Sequence, residues 1–269
     1  MNRAALIDQI RKKKTFLCVG LDPDPYKIPA HLKKNEFPMY DFCKQIVDAT
    51  APYCVAFKPN MAFFEAEGLL GWQQLEMLIG YLKVQYPDHF SIADAKRGDI
   101  GNTSERYAKA FLEKLGFDSI TVAPYMGSDS VKPFFLPNKW VILLLLTSNL
   151  GAADFQFSDN VLNRSLYKII AEKAREWGTE ENLMFVTGAT QADYLKEIRT
   201  LLPHHFFLVP GVGAQGGDLK AVCEAAMNED IGLLVNASRS ILYASAGEDF
   251  AEMARVEAMK IAKEMAVYI

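Results

Sequence analysis

The residues of this chain best suited to chemistry lie in the stretch Asp94-Ala-Lys96-Arg-Gly-Asp99-Ile100. Three charges of alternating sign crowd into one turn of chain. An ammonium set between carboxylates can stabilise negative charge developing beside it and then give up a proton as a general acid. Buried charges are costly unless paired, and such clusters gather at active sites. The plain alternative is a salt-bridge trio that only stabilises the fold. The preceding residues, Phe90-Ser-Ile-Ala, read as the end of a buried strand. Side chains two apart on a strand share a face, so Asp94 and Lys96 are expected to project together from its carboxyl end.

Strand-like runs and amphipathic helical patterns alternate along the chain. Strands are predicted at Phe16–Leu21, Val55–Pro59, Phe90–Ala95, Ser119–Val122, Val141–Leu146, Leu183–Val186, Phe207–Val209 and Leu233–Asn236. The clearest helical stretches are Tyr40–Thr50, Leu69–Tyr86, Thr103–Leu115, Val161–Trp177, Gln191–Leu201, Leu219–Met227 and Phe250–Val267, with a short helix near Ser130–Leu136 after the fourth strand. Eight strand–helix units predict an α/β fold, a (β/α)8 TIM barrel in a single domain spanning residues 1–269. A doubly wound open sheet is the rival.

In either fold the carboxyl ends of the strands carry the site. Polar residues collect there. Asp22 follows the first strand, and the second ends in Lys58-Pro59-Asn60. The third carries Asp94 and Lys96, the fifth runs into Thr147-Ser148-Asn149, and the eighth into Asn236-Ala-Ser238-Arg239. The predicted amino ends hold no comparable set, and a purely stabilising role would not choose one face. After the seventh strand, Gly211-Val212-Gly213-Ala-Gln215-Gly216 matches a dinucleotide fingerprint as a string. That fingerprint belongs on an early strand followed by an acidic residue one strand on. A turn after strand seven, with a second small-residue loop after strand eight, suits the phosphate site of a barrel instead. Backbone N–H groups would cradle the anion, Arg239 would donate a forked pair of hydrogen bonds and Gln215 a neutral one. Alternatively, these glycines make only a tight turn.

The remaining composition narrows the class. A net charge of −4 without a basic stripe gives no reason to expect nucleic acid as a partner. The apolar run Val141–Leu146 is too short to span a bilayer, and the N-terminus lacks the apolar core of a signal peptide. Cys18, Cys43, Cys54 and Cys223 have no metal-like spacing and suit free thiols in a reducing cytoplasm. None of the histidines 31, 89, 204 and 205 falls at a predicted strand end. His204-His205, after Pro203, reads as a solvated loop on the bottom face.

Taken together, these segments resemble the orotidine 5′-phosphate decarboxylase family, in its bacterial second subfamily. The matching stretches are Asp-x-Lys-x-x-Asp-Ile at 94–100 with Thr103, Pro210 to Gly217, Val235 to Ile241, Gly20-Leu-Asp-Pro23 and Ala56-Phe-Lys-Pro-Asn60. The resemblance runs from about residue 14 to the C-terminus. It implies a homodimer converting orotidine monophosphate to uridine monophosphate and carbon dioxide, with no metal and no organic cofactor. It further implies that Lys96 stabilises and protonates the C6 carbanion, flanked by Asp94, Asp99 and Lys58. Asp22 and Thr103 would bind ribose and Ser148 the pyrimidine. Val212, Gln215, Ser238 and Arg239 would bind the rest of the nucleotide. Asp99, Ile100 and Thr103 would reach into the partner's pocket, so that the site is shared; the alternative is that Asp99 caps its own helix.

The charged motif alone also occurs in phosphosugar lyases of the same barrel group, such as hexulose-phosphate synthases. These need a magnesium ion and a further carboxylate at the end of strand two, where Lys58-Pro59-Asn60 offers no acid and Glu65 and Glu67 lie further on. A non-catalytic nucleotide-phosphate binder would keep Gln215 and Arg239 but has no use for a lysine between two aspartates. The loops Pro23–Pro38 and Gly151–Asn160 carry no motif that can be interpreted.

Overall fold

Eight parallel strands close on themselves in chain order, each paired with the next and the last with the first. The structure is a computed structural model describing residues 1–159, 164–189, 192–211 and 218–269. In order, the elements begin with α1 (Arg3–Lys13), β1 (Leu17–Leu21), α2 (Pro38–Thr50), β2 (Ala56–Pro59), α3 (Met61–Glu65), α4 (Gly68–Gln85) and β3 (Phe90–Arg97). They continue through α5 (Gly101–Ala108), which runs on as a π-helix to Lys114, then β4 (Ser119–Val122), α6 (Ser128–Val131), β5 (Trp140–Leu146) and α7 (Leu166–Ala174). The chain ends with β6 (Leu183–Thr187), α8 (Ala192–Leu201), β7 (Phe207–Pro210), α9 (Leu219–Ala226), β8 (Leu233–Ala237), α10 (Arg239–Leu242) and α11 (Phe250–Met265). The predicted TIM barrel is therefore the observed fold, and the open sheet is not.

The strands are covered on both faces, which explains their continuous apolar runs. All residues of β1, β2, β4 and β6 are buried. The helices earn their outer places by periodicity. In α2, Pro38 starts the helix, where its missing N–H costs nothing, and Met39, Phe42, Cys43, Ile46 and Val47 form the buried stripe. In α11 the buried stripe runs from Phe250 to Met265 through Ala254, Ala258 and Ala262, whose small side chains allow close approach to α2 and β1. Among the described residues, no helix is long and apolar enough to cross a membrane.

The floor of the barrel differs from the sequence reading in two respects. Helix α1 was not expected; it lies against the amino ends of the strands, where Arg3 donates to Asp230 at 2.9 Å and to the carbonyl of His204 at 2.9 Å. Of the histidine pair, His204 is exposed but His205 is 6% exposed, so the expected solvated loop holds for only one of them. His205 packs edge-on to Phe185 with ring centroids 5.4 Å apart, immediately before the buried Phe206 and Phe207. Its ring completes the bottom layer. Neither ring nitrogen has a hydrogen-bond partner, and burial pushes its pKa down to about 4.

Candidate active site

The third strand does not stay regular to its end. Ala93 pairs with Ile120, but the next pairing joins Arg97 to Val122. Four steps on β3 therefore match two on β4, a bulge that re-aims side chains at a barrel rim. Within it, Lys96 has φ +48°, the left-handed region that a residue with a Cβ enters at a cost. Simple alternation, from which the pairing of Asp94 with Lys96 was expected, does not run through this segment. The bulge brings them together instead.

Asp94 is the hub. Its Oδ2 accepts from Lys58 Nζ at 2.6 Å and its Oδ1 from Lys96 Nζ at 2.6 Å. Lys58 is 5% exposed, whereas the Lys96 side chain is 50% exposed. Burial alone would strip the proton from Lys58, but the carboxylates of Asp94 and Asp22 outweigh it and hold its pKa above the usual lysine value. Burial alone would likewise protonate Asp94; the two ammonium groups reverse this and hold its pKa well below the ordinary carboxylate range. The result is a row of three fixed charges, Lys58⁺, Asp94⁻ and Lys96⁺, on adjacent strands.

The row is held from behind by residues that the sequence did not single out. Thr121 on β4, 1% exposed, accepts the Lys96 N–H at 2.8 Å and approaches Asp94 Oδ1 at 3.1 Å. Arg97 donates to the Ala95 carbonyl at 2.8 Å, pairs with Glu65 on α3, and lies 5.4 Å from the ring centres of both Tyr107 and Phe111. Arg97 is visible in the motif as a charge. Thr121 is one of many threonines, and only tertiary pairing reveals it.

Above the row opens a cavity of about 400 Å³. Its lining includes Asp22, Lys58 and Asp94 with Asn236, Ser238 and Arg239. Asp22 Oδ1 and Asn236 Oδ1 are buried acceptors without a donor, a costly state that a ligand's hydroxyl groups would relieve. Arg239 is exposed, with no ion pair to a described residue. Gly20 lets the ends of β1 and β8 close together, since a Cβ there would lie 1.9 Å from Ser238 Oγ. Gly211, at φ +94°, also lines the cavity. Two further residues went unnoticed in the sequence. Tyr243, just past α10, donates to the Asp22 carbonyl and accepts from the Asp24 N–H, each at 2.8 Å, and so ties the first loop to the last. Lys27, in a loop without a readable motif, lines the cavity and stands 5.4 Å over the Tyr243 ring.

The expected residues are thus brought together only in part. Asp22, Lys58, Asp94, Ser238 and Arg239 share the cavity, with Lys96 joined through Asp94. Ser148 is half-buried beyond β5, so close to Gly188 that a Cβ on the glycine would lie 2.9 Å from the Ser148 backbone nitrogen. It is not on the cavity wall. Asp99, Ile100 and Thr103 stand at the start of α5 and are not on the cavity wall; Ile100 is 60% exposed. Val212 and Gln215 lie outside the described residues. Among the described residues, no cluster of three or more His, Cys, Asp or Glu side chains could hold a metal ion.

Residues 15–254 match the family model described as the orotidine 5′-phosphate decarboxylase / HUMPS family. The chain belongs to that family. An orotidine 5′-phosphate decarboxylase from Flavobacterium johnsoniae is 57% identical over 270 residues, covering 100% of this chain and 98% of the relative. One from Phocaeicola vulgatus is 54% identical over 266 residues, covering 98% of each. The solved OMP decarboxylase of Leishmania donovani superposes with a TM-score of 0.80 at 36% identity, covering 98% of this chain and 100% of that one. The resemblance drawn from five short segments therefore extends over the whole chain. As a family member, the barrel presents its charge row at the strand ends where barrel enzymes carry their chemistry.

Proposed function

We propose that this barrel converts orotidine 5′-phosphate to uridine 5′-phosphate and carbon dioxide, the last step of de novo pyrimidine synthesis. The observation that carries the reading is the Lys58–Asp94–Lys96 row at the base of the cavity. Breaking the bond between C6 and its carboxylate leaves an electron pair in the plane of the ring, out of reach of the π system. An ammonium fixed beforehand beside C6 stabilises that pair and then donates the proton that completes C6–H. Lys96 performs both tasks and afterwards regains a proton from solvent. Asp94, kept ionised by its two lysines, sits by the departing carboxylate, where repulsion raises the ground state.

The rest of the site binds. Asp22 and Thr103 take ribose hydroxyls, and Ser148 takes the pyrimidine. Val212, Gln215, Ser238 and Arg239 take the phosphate end, whose binding energy is available to the transition state. Asp99, Ile100 and Thr103 serve the pocket of a second copy in a homodimer. Support for this comes from the helix start itself, where Ile100 and not Asp99 holds the capping position, and the Asp99 carboxylate accepts the Ile100 N–H. Exposed apolar residues just past the ends of the paired strands β3 and β4, Ile100, Tyr125 and Met126, suit a covered face. The chain then works as one barrel unit from 1 to 269, in the cytoplasm.

The phosphosugar-lyase reading is disfavoured by the end of β2. Asn60 caps α3 by accepting the Ala62 N–H at 3.2 Å, and Glu65 is engaged by Arg97, so neither supplies a carboxylate for a cation. Turnover of orotidine monophosphate in the presence of a strong chelator tests the proposal. Uridine monophosphate should form at the unchelated rate; loss of turnover on chelation, restored by magnesium, would overturn it.

A further inference from the structure

Lys96 is the residue on which the proposed chemistry turns, yet its backbone occupies a conformation that costs free energy to hold. The strain persists only where neighbours over-determine it. Its N–H is taken by a side chain of the neighbouring strand β4, Thr121 Oγ1 at 2.8 Å. That same oxygen carries a single proton. Its nearest acceptor is Asp94 Oδ1 at 3.1 Å, with the Ala93 carbonyl further off at 3.5 Å. One hydroxyl thus accepts from the backbone of the lysine and donates to the carboxylate oxygen that binds the lysine's ammonium. It closes a small ring: Lys96 backbone, Thr121 hydroxyl, Asp94 carboxylate, Lys96 ammonium. Thr121 is fixed in turn by β4, where it pairs with Ile142 of β5, and it is almost wholly buried.

We infer that Thr121 is a positioning residue for decarboxylation, setting the direction of Lys96 by gripping both its backbone and the carboxylate that aims it. This rests on the reading of Lys96 as the proton donor. Thr121 touches no substrate; it acts through the two residues that do. Without the hydroxyl, a buried N–H in a strained bulge is unsatisfied and Asp94 loses a neutral donor, so the bulge relaxes and the ammonium drifts from C6.

The test compares Thr121→Val, which keeps the shape without the hydroxyl, with Thr121→Ser, which keeps the hydroxyl. Thr121→Val should lower kcat about 10- to 100-fold, the equivalent of one buried hydrogen bond, with KM within about threefold of the parent because the phosphate grip is remote. Thr121→Ser should stay within about threefold in both. If Thr121→Val fails to fold, Thr121→Cys takes its place, since a thiol is a poor acceptor. A Val or Cys variant with parent kcat overturns the inference. So does an equal loss in the Val and Ser variants tracking a drop in Tm, because the residue is then merely structural. Lys96→Ala run alongside separates the two levels: if it keeps turnover, the reading of Lys96 fails and the inference with it, whereas an inactive Lys96→Ala beside a fully active Thr121→Val overturns the inference alone.

Discussion

At the scale of single residues, the proposed mechanism divides the site into a part that handles charge at C6 and a part that holds the nucleotide. Lys96 is the exposed end of the charge row, its side chain half in solvent and its ammonium held by Asp94. Its replacement by alanine should remove nearly all turnover: losing one preorganised electrostatic donor costs about 100- to 1,000-fold, and the proposed mechanism gives this residue a second duty as acid. Binding of uridine monophosphate, measured by titration calorimetry, should survive. Turnover within tenfold of the parent would remove Lys96 from its role. Arg239 belongs to the other part. Exposed and without an ion pair to a described residue, it is available to an anion. Arg239→Ala should raise KM strongly, and steady-state kinetics with an unchanged KM would place the phosphate elsewhere. Asp94 and Lys96 were legible from the sequence because their charges are adjacent in the chain. Thr121 was not, since its partners lie 25 and 27 positions away on another strand. Nor was the burial of His205, because Pro203-His-His looks like a turn until Phe185 is seen to cover it.

At the scale of elements, the strands were the easiest to read. β4 has the predicted bounds, and the others differ from the prediction by a residue or two at their ends. Continuous apolar runs identify strands buried on both faces. Register is another matter: a bulge is a relation between two strands, and β3 by itself gives no sign that it slips against β4 between Ala93 and Arg97. Helix α1 escaped because only Leu6, Ile7 and Ile10 form its buried stripe, within a basic segment. The start of α5 raises the question of which pocket Asp99 serves, and mixing answers it. Lys96→Ala and Asp99→Ala should each be nearly inactive as homodimers. In a mixed dimer with shared sites, one pocket receives both defects and the other neither, so half of the sites should regain parent-like activity after dissociation and reassociation. Verified heterodimers without recovery would mean that Asp99 acts within its own chain.

At the scale of the whole molecule, two histidines, His205 buried and His89 half-buried, contribute to how the barrel responds to acid. His89, at the amino end of β3, meets Lys13 Nζ at 2.7 Å with Asp88 nearby, and burial followed by the Lys13 charge takes its pKa down to about 4. His205 sits at about 4 through burial, with Arg199, Arg175 and His204 reinforcing the shift and Glu180 opposing it. In the unfolded chain both titrate near 6.5. Below that pH the unfolded chain takes up protons that the folded chain refuses, so stability is intact above about pH 6.5 and falls as pH drops toward 4. Each histidine contributes up to about 3 kcal/mol of this loss. Urea melts at intervals between pH 7 and pH 4 should show the decline, and His205→Phe should flatten it. A midpoint constant across that range would contradict the linkage.

The four cysteines are buried in separate places: Cys18 on β1, Cys54 ahead of β2, Cys43 on α2 and Cys223 on α9. Burial pushes every thiol above its ordinary pKa, to about 12 for Cys54 and Cys223. Folded, the chain presents almost no thiolate to an alkylating reagent, since the anion is the nucleophile. Each sulfur is thereby a built-in clock for the opening of its own neighbourhood. Labelling followed by mass spectrometry would time the peeling of α9 through Cys223 separately from the parting of β1 and β2 through Cys18 and Cys54, without any probe being introduced.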